Sequence, residues 1–285
     1  MRAPDGTTAV AEQTGMLPPG KSGHRRHLVG HWGSIVGIVL ALLGVWEGYV
    51  RLYAVPKWLL PAPSVIAATL VASWELLWGH TVVTFLEVVI GFGVSLVCGV
   101  VLAGGIAWSQ TLERALYPFV IASQTIPIIV IAPLLLIWVG YGLAAKVIVV
   151  ALIAFFPIVV NLVDGLKSAD PDVINLLRVM GAGRWQIFLK VQWPSALPFL
   201  FSGARVAMAV SVIGAVIGEW VGSSQGLGYL MIRSKPQFLT ERVFAAIVVL
   251  SAMGVALFVL VGVLERLAIP WWHNEQRQRA RQQEG

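Results

Sequence analysis

Six apolar stretches, at about 32–53, 81–107, 115–138, 145–166, 196–220 and 243–268, leave this chain few ways to fold. A helix needs roughly 20 mostly apolar residues to cross the hydrocarbon of a bilayer, where every backbone N–H and C=O must be satisfied within the segment. Runs of that length predict an all-α, polytopic membrane protein with about six transmembrane helices. Of the 285 residues, 58% are hydrophobic and only 12% charged. Soluble domains carry about twice that share of charge. Twelve Trp suit a membrane–water boundary, and the net charge of +6 reads as an orientation signal rather than a nucleic-acid footprint. A lone Cys98 inside an apolar run permits no intramolecular disulfide and reads as a small packing residue.

The domain layout expected is a disordered cytoplasmic tail over 1–31, a transmembrane domain over 32–270 and a cytoplasmic tail over 271–285. Between the first two spans, Pro56, Pro61 and Pro63 break the segment from Val55 to Gly79, which reads as a short surface helix. With the N-terminus inside, inner segments hold thirteen Lys and Arg residues and outer segments six, Lys146 among the latter, so both termini are expected in the cytoplasm. Arg205 lies inside a span, close enough to the inner surface to snorkel. Small residues recur every fourth position at Gly91, Ser95, Gly99 and Ala103, and again at Gly214, Gly218 and Gly222. Those faces should meet protein rather than lipid.

The inner loop over 168–194 is too structured for a connector. Asp170 is a good N-cap and Pro171 suits the first helical position. Val173, Leu176, Leu177 and Met180 follow at i, i+3, i+4 and i+7, with Asp172, Asn175 and Arg178 opposite and Gly181 as the stop. After Gly181-Ala182-Gly183 a second helical stretch, Arg184 to Gln192, is expected to end at Pro194. Such a stripe must be covered, either by the bilayer or by a groove on a partner protein, and the helix–turn–helix arrangement favours the partner.

The same loop resembles the cytoplasmic signature of binding-protein-dependent ABC importer permeases: Glu-Ala-Ala, three residues, Gly, nine residues, Ile, one residue, Leu-Pro. Asn175-Leu176-Leu177 stands at the Glu-Ala-Ala place, Gly181 is the glycine, and Val191, Trp193 and Pro194 complete the spacing. Glu has become Asn, both Ala have become Leu, and the late Leu has become Trp. The flanks, including Gln124-Thr125-Ile126-Pro127, Trp138-Val139-Gly140-Tyr141-Gly142, Arg184-Trp185-Gln186 and Gly226-Leu227-Gly228-Tyr229, are similar to the nitrate/sulfonate/taurine branch, and within it to the thiamine-pyrimidine-precursor group. The resemblance covers about residues 60 to 270. It implies a type I importer permease fold in a bacterial plasma membrane, a homodimer, a cytoplasmic ATPase dimer carrying ATP-Mg, and an external solute-binding protein. Its coupling residues would be Asp170, Pro171, Val173, Asn175, Leu176, Leu177, Arg178, Met180, Gly181, Ala182 and Arg184. With Asn175 in place of an acid, the seat would be chiefly apolar.

Polar or helix-breaking residues at membrane depth tend to line cavities or interfaces. Ser123, Gln124, Pro127 and Pro133 are the first candidates for a translocation pathway, followed by Pro157, Asn161 and Glu219. Glu87 also lies deep, with no partner named by the sequence. No Gly-x-x-x-x-Gly-Lys-Ser/Thr, His-Glu-x-x-His or Gly-x-Ser-x-Gly motif is present, and the five His avoid the expected span interiors. A transport subunit binding no cofactor or metal of its own is therefore expected. The rival is an ion- or proton-coupled secondary transporter, a class that places ionisable residues near the bilayer centre.

Overall fold

The computed structural model describes residues 23–272, with side chains from residue 36. The chain divides into two units, 1–53 and 54–285. In the first, α1 (Gly23–Leu52) contains the expected first span and starts inside the stretch expected as a tail. Glu47 and Arg51 pair across one of its turns at 2.6 Å. The rest of that tail and residues 273–285 lie outside the described residues.

In the second unit, Pro63 opens a short helix, α2 (Pro63–Ala72), as its fixed φ suits a first turn. After Ser73 the chain re-enters helix as α3 (Trp74–Trp108), which starts ahead of the expected span and therefore takes His80 into its length. Then come α4 (Gln110–Ala122), α5 (Ile128–Val139), α6 (Leu143–Lys167), α7 (Pro171–Val179), α8 (Arg184–Ile187), α9 (Trp193–Gly222), α10 (Leu227–Ser234) and α11 (Thr240–Ala268). Among the described residues every regular element is helical. Among the described residues four helical runs are long and apolar enough to cross a membrane, or five if the bent α4–α5 pair is one span.

Two expected boundaries are corrected. Residues 115–138 do not form one kinked span. A tight turn at Ser123–Thr125 and the extended Ile126 separate α4 from α5, and the pair bends by 101°. Proline disfavours helix in the residue before it, which puts the break at Ile126-Pro127. Pro133, by contrast, continues inside α5. The stretch from Arg184 does not end at Pro194 either. The N–H of Trp193 reaches back five residues to the carbonyl of Phe188, making a π turn over Phe188–Gln192, and the helix runs on as α9. Pro194 has no N–H and crowds the carbonyl four residues back; widening the preceding turn relieves that crowding without breaking the helix.

Helix α6 is the central element, packed between α9 and α3. In lipid, apolar burial does not drive helices together, so close backbone approach has to. Both small-residue stripes serve it. A Cβ at Gly91 would lie 2.5 Å from Val150 and one at Gly99 2.8 Å from Ile158, while Gly214 meets the Val150 backbone from the other side. Near the far end of α6, a Cβ at Gly203 would lie 2.6 Å from the Pro157 carbonyl. Cys98 is exposed on α3, not packed as expected, because the buried stripe of α3 runs through Ser95 and Gly99.

Candidate functional site

The protruding loop after α6 is built locally. Asp170 accepts the N–H of Asp172 at 2.8 Å, and Pro171 occupies the first turn of α7. At the other end Ala182 donates to the Leu177 carbonyl at 2.9 Å and Gly181 to that of Arg178 at 3.0 Å. This double closure requires a left-handed residue at Gly181, whose φ is +83°. Gly183 then donates to the Gln186 side chain at 3.0 Å, starting α8 close to Arg184.

The apolar face is rotated from the one expected. Val173, Leu176, Val179 and Met180 are exposed, Leu176 by 60% and Met180 by 73%, whereas Leu177 and Ile174 turn inward and are half-buried. Val179 joins the exposed stripe. Asn175 accepts from Arg178 at 3.2 Å on the polar side. Trp185 stacks on Phe188 with ring centres 5.6 Å apart, and Trp108 meets both edge-on.

A cavity of about 610 Å³ lies at the bend between α4 and α5. Ser123, Gln124 and Pro127 line it together with apolar side chains such as Phe119, Phe155 and Ile213. The other pathway candidates lie elsewhere. Pro133 is exposed on α5. Asn161 donates to the carbonyl of Pro157 at 2.8 Å, and both sit where Gly203 crosses α6.

Glu219 is enclosed, 1% exposed, at a buried polar junction. Thr84 Oγ1 donates to its Oε1 at 2.6 Å, and its Oε2 accepts the N–H groups of Gly228 at 2.5 Å and Tyr229 at 3.4 Å. Thr84 in turn accepts the N–H of Leu227 at 2.9 Å, and His80 Nδ1 that of Gly226 at 3.0 Å. All four N–H groups that open α10 are therefore capped by side chains of α3 and α9, with an acid at the positive end of the helix. The two glycines make room for it: side chains at Gly226 (φ +111°) or Gly228 would run into Glu219.

Next to this junction, the buried Lys146 Nζ lies 2.7 Å from Glu87 Oε1 and 2.7 Å from Ser223 Oγ. Lys146, counted among the outer charges, lies in the first turn of α6 and is buried. It is the partner of Glu87. Ser223 begins a recess of about 490 Å³ that Tyr141, Gly142, Ser224 and Gln225 also line. Arg205 pairs with Glu265 of α11. Sequence reasoning missed His80, Thr84 and Lys146. The one signal for them was the Gly-Leu-Gly-Tyr motif after Glu219, whose glycines mark a close approach without naming what approaches.

A central helix flanked by small-residue faces, a broken helix beside a cavity and a capped loop helix with an uncovered apolar face define a polytopic helical transport protein. Residues 95–269 match the family model of the binding-protein-dependent transport system inner membrane component, and the chain belongs to that family of ABC importer permeases. Its relatives include the formylaminopyrimidine transport permease protein ThiX of Halalkalibacterium halodurans, 40% identical over 81% of this chain and 93% of the relative. The riboflavin transport system permease protein RibX of Chloroflexus aurantiacus is 39% identical over 82% and 88%. The putative aliphatic sulfonates transport permease protein SsuC of Bacillus subtilis is 30% identical over 92% and 97%. Among solved structures, an amino acid ABC transporter with histidines has the same fold, with a TM-score of 0.54, 18% identity and coverage of 70% of this chain and 95% of that one.

Proposed function

We propose that this chain is the transport subunit of an ATP-driven importer for a small polar solute, working by alternating access. ATP-Mg is bound and hydrolysed on a separate cytoplasmic ATPase dimer, an external solute-binding protein delivers the cargo, and two copies of this chain enclose the passage in a bacterial plasma membrane. Relatives named for formylaminopyrimidine, riboflavin and aliphatic sulfonate transport support the solute class. The observation that carries the reading is the uncovered apolar face of α7, held out by caps at both ends. We assign Asp170, Pro171, Val173, Asn175, Leu176, Leu177, Arg178, Met180, Gly181, Ala182 and Arg184 to this coupling element. Ser123, Gln124 and Pro127 form the passage wall. Both termini lie in the cytoplasm, so a reporter fused after residue 275 should read as internal.

Gly181→Asp tests the coupling role. A side chain at φ +83° is strained and the αL stop of α7 is lost. The protein should still insert, and the ATPase should no longer co-purify with it. Full retention of the ATPase refutes the docking role.

A further inference from the structure

A further recess, of about 510 Å³, lies where the α3–α4 corner meets the loop after α6. Trp108, Gln110 and Glu113 line it from the corner, and Ile174, Arg178 and Arg184 from the loop. Its acid is already answered, since Glu113 pairs with Lys167 at 2.7 Å. Its cations are not. Arg178 donates to the neutral Asn175 side chain at 3.2 Å, and among the described residues no acid pairs with Arg178 or Arg184. The recess is thus left with two positive charges.

The chain also fixes its depth. Trp108 is the last residue of a membrane-spanning helix, and its ring meets Trp185 and Phe188 edge-on. Lys167, the partner of Glu113, lies 5.5 Å from the centre of the Tyr117 ring. Trp and Tyr rings at the end of a span mark the headgroup layer, and basic pockets between helices on the cytoplasmic side take up anionic headgroups. Ile174 and Arg178, at i and i+4, turn one face of α7 to the recess, whereas Val173, Leu176 and Met180 form the exposed apolar stripe. The recess and the ATPase seat therefore use different faces of one helix.

We infer that this recess binds the phosphodiester of an anionic phospholipid of the inner leaflet, held by the guanidinium groups of Arg178 and Arg184. Arginine's planar fork matches phosphate oxygens two at a time. Gln110 and Gln192 supply neutral donors for headgroup hydroxyls, and Ile174 and Ile187 an apolar flank. Bound there, the lipid neutralises the two arginines and ties the coupling loop to the end of α3. The inference rests on the cytoplasmic side assigned to this loop above.

The test follows the melting temperature of the full chain, purified in detergent and stripped of lipid. Phosphatidylglycerol should raise it by about 5 °C or more, as a saturating ligand of the folded state does, and phosphatidylcholine by no more than about 1 °C. Equal shifts from the two lipids, or an equal shift from inorganic phosphate alone, overturn the assignment. Arg178→Gln combined with Arg184→Gln should remove the phosphatidylglycerol shift, whereas Lys190→Gln, exposed outside the recess, should keep it. A shift retained in the double variant, or lost equally in Lys190→Gln, overturns the site. Should the double variant not fold, Gln110→Glu sets an acid against the arginines and should at least halve the shift; an unchanged shift there overturns the site as well. All of this is read on the chain alone, so co-purification of an ATPase judges the importer reading separately, and the reporter after residue 275 judges the sidedness.

Discussion

Glu219 shows how much one residue's surroundings decide its role. Its position near the end of a glycine-flanked span suggested a place on the translocation path, yet its carboxylate is filled by one hydroxyl and two backbone N–H groups. Leaving buried donors unpaired costs about 1–3 kcal/mol each. Thr84→Val removes both the donor to Glu219 and the acceptor for Leu227, so the purified protein in detergent should lose about 2 kcal/mol or more and melt several degrees lower. Thr84→Val and Glu219→Gln share one network and should combine less than additively. Additive melting shifts would mean that the two side chains act independently. The sequence held a trace of this arrangement in Gly226 and Gly228 but no hint that Thr84 and His80, some 140 positions away, complete it.

At the scale of elements, α7 and the α6–α9 crossing follow different rules. The caps of α7 are local, so Asp170, Pro171 and Gly181 could be placed from sequence alone. Asp170→Ala should cost that helix about 1 kcal/mol and weaken ATPase co-purification far less than Gly181→Asp, since only the latter also misdirects the chain into α8. Which apolar residues face out was not local. Leu177 is half-buried where exposure was expected, and Val179 is 87% exposed. The crossing depends on space. Gly203→Leu would drive a side chain into the Pro157 carbonyl and Asn161, and should lower thermal stability by about 1–3 kcal/mol or more, read as a lower melting temperature. The same substitution at Gly93, which no atom approaches, should be nearly silent.

Over the whole molecule, an ATP-driven importer and an ion-coupled transporter differ in what stops them. Among the described residues the buried acids are each held in place: Glu87 by Lys146, Glu265 by Arg205, Glu219 by Thr84 and a helix end. Uptake through this chain should therefore persist when an uncoupler collapses the proton gradient while ATP stays high, and should fail when ATP is depleted. The opposite result would favour ion coupling. What the sequence by itself determined is the membrane class, the long helices and the capped loop. Those rest on hydropathy, helix period and capping, which act within a few turns of chain. Only the tertiary structure decided where the third apolar stretch breaks, which prolines face the cavity, and that Lys146 answers Glu87. Those depend on space and charge shared between helices far apart in sequence, where no local pattern records the partner.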